Sequence, residues 1–211
     1  MAQQRLSFKI AFFAILTAIP TGLGYVLGPL THSVNYLFSV ISLPGLGPGL
    51  PGTLHLGFTP LVTVTILARA YLGRGSAIME GVLLAITGLF FHPGEPAIIR
   101  GPKDVLLGVG VELTLLKKGE VDVGIADAIV ASFVGGLMSY LPYLTLAIPL
   151  SLYLLGVFYV SLLILMSGYL VSCLIGGYIA GHVLKVLPPS RLKPMYTVGA
   201  GSPGPSASLG P

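Results

Sequence analysis

Two carboxylates occupy places where this sequence otherwise has almost no charge. Glu80 lies in the run SAIMEGVLLAITGLFF, and Glu112 closes DVLLGVGVE. A charged side chain at the centre of a bilayer costs at least roughly 2.5–3.5 kcal/mol on insertion scales. Each acid must therefore recover that cost from a partner, a proton or a ligand. Asp104, Gly108 and Glu112 recur every four residues and so share one helix face. Counted from the ends of their apolar runs, Glu80 and Glu112 both fall within about one turn of the middle, at ~1.5 Å per residue. Consecutive antiparallel helices usually pack together, which predicts that the two acids lie at similar depth. Gly108 and Gly110 leave space beside Glu112 for a helix or for a ligand. With no Lys or Arg in the central part of any run, two such acids predict a site for a cationic or amine-bearing ligand. The alternative is a pair holding one proton.

The other polar residues are less pointed. Asp104 and Lys103 are expected near the interface, snorkelling and pairing with each other. His92 and Glu95, in HPGEP, are placed at the outer mouth, where a loop histidine is ordinarily just solvated. Asp127 suits a helix amino terminus, and His55 and His182 have no metal-site spacing. No Walker A, nucleophile elbow, HExxH or GxGxxG pattern occurs, so neither ATP hydrolysis nor another enzymatic activity is expected.

Composition dictates the elements that must carry these residues. The chain is 54% hydrophobic and 9% charged, with a mean hydropathy of +0.93. A soluble domain carries about 25% charged residues, so the expected class is integral membrane. It is all-α, because a spanning barrel would alternate apolar and polar residues. The 29 glycines and 17 prolines suit membrane helices, which pack through small residues. Six apolar runs, 10–30, 54–72, 76–91, 104–116, 123–141 and 157–186, predict a bundle of six transmembrane helices. The first is a retained helix rather than a signal peptide. These helices form a single domain over 1–190, followed by a disordered Gly/Pro/Ser-rich tail over 191–211. Cys173 is the only cysteine, so no intrachain disulfide is possible.

Topology follows from the bases. Arg5, Lys9, Arg69, Arg74, Lys117, Lys118, Lys185, Arg191 and Lys193 fall on one side, and only Arg100 and Lys103 on the other. The positive-inside rule then puts both termini in the cytoplasm of a cell (plasma) membrane, with Arg69 and Arg74 bracketing a cytoplasmic turn. Scattered in this way, the bases form no nucleic-acid patch. The outer loops 31–53 and 142–156 are long, uncharged and apolar. Loops of that kind are expected to rest as lids on the outer mouth.

Ala14, Ala18 and Gly22 form a small-residue stripe along the first helix, of the kind that admits another helix closely. Internal packing is the plainer explanation for such a stripe. Six helices, cytoplasmic termini, this stripe and long apolar outer loops together resemble an S component. S components are the substrate-binding membrane subunits of energy-coupling-factor (ECF) vitamin transporters. Over about a third of the chain, Arg74-Gly75, Ala77, Glu80, the HPGEP turn and Gly108-x-Gly110-x-Glu112 resemble the YkoE-like S components, associated with thiamine and its hydroxymethylpyrimidine precursor.

The resemblance implies a chain that binds its vitamin and has no cofactor, while a T-component membrane subunit and two ABC ATPases supply coupling and ATP hydrolysis. It implies that Ala14, Ala18 and Gly22 meet the T component. A cationic ring would be held by Glu80 and Glu112, with Asp104, His92 and Asn35 nearby and Tyr36 or Tyr140 giving stacking or cation–π contacts. Rival readings are an S component for another vitamin or a metal ion, or a membrane assembly or enzyme subunit. The metal-type S components have a histidine close behind the initiator methionine, which MAQQRLSF lacks.

Overall fold

The computed structural model describes residues 2–40, 57–91, 97–118, 123–142, 144–145 and 158–190. Six long α-helices account for nearly all of them: α1 (Ala2–Val40), α2 (Phe58–Leu72), α3 (Ser76–Phe91), α4 (Ala97–Thr114), α5 (Ile125–Pro142) and α6 (Phe158–Val186). The described residues are thus all-helical. Leu6–Gly24 of α1, Ile125–Pro142 and Met166–Val186 are each long and apolar enough to cross a membrane, while α2 and α3 are apolar but shorter.

α2 is the axis of the bundle and touches every other helix. Its sequence, FTPLVTVTILARAYL, is apolar on all faces, and a helix of that pattern can only be buried. Thirteen of its 15 residues are buried. Its threonines stay dry because their hydroxyls donate to carbonyls: Thr65 to Leu61 at 2.8 Å, and Thr63 to Gly176 on α6 at 3.0 Å. Around α2, the helices α3, α4, α5 and α6 pack each against the next, and α1 lies outside, on α2 and α3. Only 17% of the apolar stretch of α1 is buried, against 44% for those of α5 and α6. α1 is the thinly attached helix.

The turn between α2 and α3 is Gly73-Arg74-Gly75. Gly73 and Gly75 have φ of 93° and 83°, which only glycine adopts freely. Ser76 Oγ donates to Ala68 O at 2.8 Å and is close to Gly73 O, tying the start of α3 to the end of α2. This end of the bundle, where α2 and α4 finish and α3 and α5 begin, is called the Gly73 end below. The opposite one is the Phe58 end.

α1 and α4 depart most from the expected runs, and α1 already begins at Ala2. α1 runs on to Val40, so Asn35 and Tyr36 stand on a helix rather than in a loop. α4 begins at Ala97, seven residues before the expected start, and carries Pro102 inside it. Proline in the first turns forfeits one bond of the ladder, and Ile98, Ile99 and Arg100 extend the helix regardless. The proposed lids fall mostly on 41–56 and 146–157, and the tail on 191–211, all outside the described residues.

Candidate functional site

The register of α3 against α4 decides whether the two acids meet. A Cβ on Gly81 would stand 2.5 Å from Asp104 O, and one on Gly108 would collide with Ala77 O. Both contacts fit one antiparallel register, in which Glu80 is level with Val105 and Glu112 is level with Gly73. Seven residues separate the two levels, about 10 Å of depth. Glu80 and Glu112 do not share a site. The space beside Gly108 and Gly110 is taken by helices: Ala77 of α3 abuts Gly108, and Gly135 of α5 lies 2.7 Å from a Cβ built on Gly110. The Gly75, Ala77, Gly108 and Gly110 of the family-like motif thus form a turn and two close helix crossings.

Glu112 has a partner that the sequence reading placed elsewhere. Arg69, one turn before the end of α2, is 1% exposed, and its Nε approaches Glu112 Oε1 to 2.9 Å. That contact is an ion pair by distance and lacks the alignment of a hydrogen bond. Arg69 Nη2 donates to Leu115 O at 2.9 Å and to Lys118 O at 3.3 Å. These carbonyls follow the last turn of α4, where helix carbonyls have no partner in the helix and the macrodipole favours a cation. Arg69 therefore caps α4 and neutralises Glu112 at once. Arg69 stands in the last turn of α2, at the end of the expected run 54–72, and what the sequence did not show is that its side chain turns inward to Glu112. Glu112, two residues from the end of α4, is also not central in its helix.

Glu80 faces α1. It is fully buried, and its Oε1 lies 3.0 Å from Thr17 Oγ1. The second oxygen, Oε2, has no hydrogen-bond partner. Thr17 also lines a groove of about 670 Å3 between α1 and α3, together with Ala14, Ala18, Met79 and Leu83. Ala14, Ala18 and Gly22 are all exposed. Ala14 and Ala18 stand on the wall of that groove, and a Cβ on Gly22 would meet nothing within 4 Å among the described residues.

Asp104 and Lys103 are buried within the bundle. Asp104 is fully buried, with Oδ2 at 3.9 Å from Arg100 Nε, and both Arg100 and Lys103 are only 8% exposed. Lys103 Nζ sits 5.6 Å from the centre of the Phe58 ring, a cation–π contact. Phe58 packs on Tyr169 at 4.4 Å between ring centres, and Tyr169 on Tyr140 at 5.8 Å. Ser139 and Tyr169 hydroxyls bond at 2.6 Å. Four helices thus build an aromatic and cationic cluster near the Phe58 end.

Of the ligand-binding residues expected from the sequence, only Tyr140 belongs to this cluster. Asp104 neighbours Lys103 in α4, Glu80 and Glu112 lie deeper toward the Gly73 end, and His92 lies outside the described residues, as do the side chains of Asn35 and Tyr36. Phe58 and Tyr169 were missed, and Lys103 was read only as the partner of Asp104, because the three come from three helices with no common spacing. Arg69 carried a usable signal: it precedes the closing Gly73 by a full turn and so belongs to the helix.

The described residues form an all-helical bundle, and three of the helices among them are long and apolar enough to cross a membrane. No family model matches the chain, nor does any curated protein or solved structure.

Proposed function

We propose that the chain is the substrate-binding S component of an ECF-type importer, taking up thiamine or its hydroxymethylpyrimidine precursor. In this reading six helices span the plasma membrane, both termini are cytoplasmic, and the Phe58 end faces outward. A T component and ABC ATPases supply the coupling. The observation that carries it is the cluster of Phe58, Tyr140 and Tyr169 with Lys103 at that end. Tilted, mutually packed rings with Lys103 beside them make a floor for a planar heteroaromatic ligand, with orientation left to a few polar groups. Glu112 contributes nothing to this ligand, since Arg69 holds it.

The test is a thermal-stability screen of the purified protein against thiamine, hydroxymethylpyrimidine and a carboxylate-bearing vitamin. A ligand at 100 times its Kd adds about 2.7 kcal/mol to stability. Stabilisation by either thiamine compound, weakened several-fold in Phe58→Leu, is the expected result. Stabilisation by the carboxylate vitamin alone overturns the ligand and leaves the S-component reading. No response to any vitamin counts against both.

The exposed α1 face makes a separate prediction. Ala18→Trp adds bulk at an exposed position on the open groove beside α3, so the melting temperature and ligand affinity of the isolated chain should stay within error of wild type. Co-purification with a T component should be lost through steric exclusion. A folding defect in the isolated chain would mean that the face packs internally.

A further inference from the structure

The Thr17 hydroxyl has two neighbours and one proton. Its Oγ1 lies 2.9 Å from Phe13 O, one turn back on α1, and 3.0 Å from Glu80 Oε1 on α3. A hydroxyl donates once and accepts through two lone pairs. Phe13 O can only accept, so if Thr17 donates to it, the bond to Glu80 must be donated by Glu80. Only a protonated carboxyl can do so. We propose that Glu80 is held as a neutral carboxylic acid, with its proton on Oε1 donated to Thr17 Oγ1 and the Thr17 proton donated to Phe13 O. The proton is then a structural part of the contact that fastens α1 to the bundle.

The surroundings agree. An ionised carboxylate out of water needs a base or several donors, and without them the group neutralises instead. α1 offers no titratable group between Phe13 and Thr21. The base of α2, Arg69, is engaged by Glu112 and the end of α4. On α4, Arg100 is next to Asp104 and Lys103 lies over Phe58. Glu80 has no ion pair among the described residues, and Oε2 has no donor. A lone unsatisfied carbonyl oxygen on a neutral acid is far cheaper to bury than half of an unsatisfied carboxylate. The same contact is one of few that fasten α1, the helix that exposes Ala14 and Ala18. Moving α1 off α3 would open Glu80 to water and let it ionise, so the attachment of α1 is linked to pH. This inference does not depend on what the chain transports.

Infrared difference spectroscopy on the full chain in lipid vesicles at neutral pH tests it. Wild type minus Glu80→Gln should show the carbonyl band of a protonated carboxylic acid. Thr17→Val, which keeps the shape and removes the acceptor, should shift that band to higher frequency. On raising the pH, wild type should lose stability faster than Glu80→Gln, because the unfolded chain gains by ionising the acid and the glutamine has no proton to lose. If Glu80→Gln fails to fold, wild type against Thr17→Val with isotope-labelled glutamate gives the same reading. A carboxylate band for Glu80 at neutral pH, or a carbonyl band indifferent to Thr17→Val, overturns the proposal.

Discussion

Replacing Arg69 with methionine should destabilise the isolated chain by about 3–5 kcal/mol, the cost of removing one partner from a buried ion pair. Methionine preserves most of the buried stem. The loss falls on Glu112, 6% exposed and left charged, and on Leu115 O and Lys118 O, which lose the guanidinium donor, although Leu115 O still accepts from Lys118 N–H at 3.0 Å. Glu112→Leu alone should also be costly, because it strands the guanidinium. The double variant Arg69→Met/Glu112→Leu should recover much of the loss, since well-packed apolar pairs commonly replace buried ion pairs at little cost. Reversible unfolding of all four proteins in mixed micelles closes the cycle. Additive single losses would show that the pair is not coupled. Stability that stays level or rises in Glu112→Gln would instead mark an acid held open for a ligand.

Gly108→Ala should be nearly as damaging, although it adds a single methyl. The new carbon collides with Ala77 O, with Ile78 Cα 3.0 Å away, and backbone cannot rotate aside as a side-chain tip can. Forcing extra atoms into a packed interface typically costs about 1–3 kcal/mol, occasionally more. α3 and α4 must part here, at the crossing that also sets the level of Glu80. Gly101→Ala, one helical stretch earlier on α4 with nothing within 4 Å of the added carbon, is the control. It should be neutral or raise stability by up to about 1 kcal/mol through lower chain entropy. Equal losses at the two glycines would mean that helix propensity, not the α3–α4 crossing, explains Gly108.

How much of this was legible beforehand can be traced residue by residue. The all-helical class and the approximate place of each helix followed from run length and composition. α3 matches its expected run at both ends, 76–91, because Gly75 before it and the HPG after Phe91 are strong local punctuation. The start of α4 did not follow, because Pro102 and Gly101 read as loop while the helix tolerates both. That Glu80 must be accommodated inside the protein was also evident, since burying a carboxylate carries its cost wherever the helix lies.

Partners were beyond reach. Asp104, Gly108 and Glu112 share a face by periodicity alone, but periodicity says nothing about what that face meets. Asp104 neighbours Arg100, Gly108 abuts Ala77, and Glu112 meets an arginine 43 positions away in the chain. The depth of Glu80 relative to Glu112 depended on a slide of α3 along α4, which glycine-to-backbone contacts set and which the intervening loop does not specify. The stripe of Ala14 and Ala18 illustrates the same division. Its spacing was plain in the sequence, but what it met depended on the rotation of α1, and Thr17 reaching Glu80 left Ala14 and Ala18 exposed on the wall of the groove beside α3. Local spacing determines which side chains share a face. Only the packing of whole helices, each rotating and sliding to bury the most surface with the fewest stranded polar atoms, decides what that face touches.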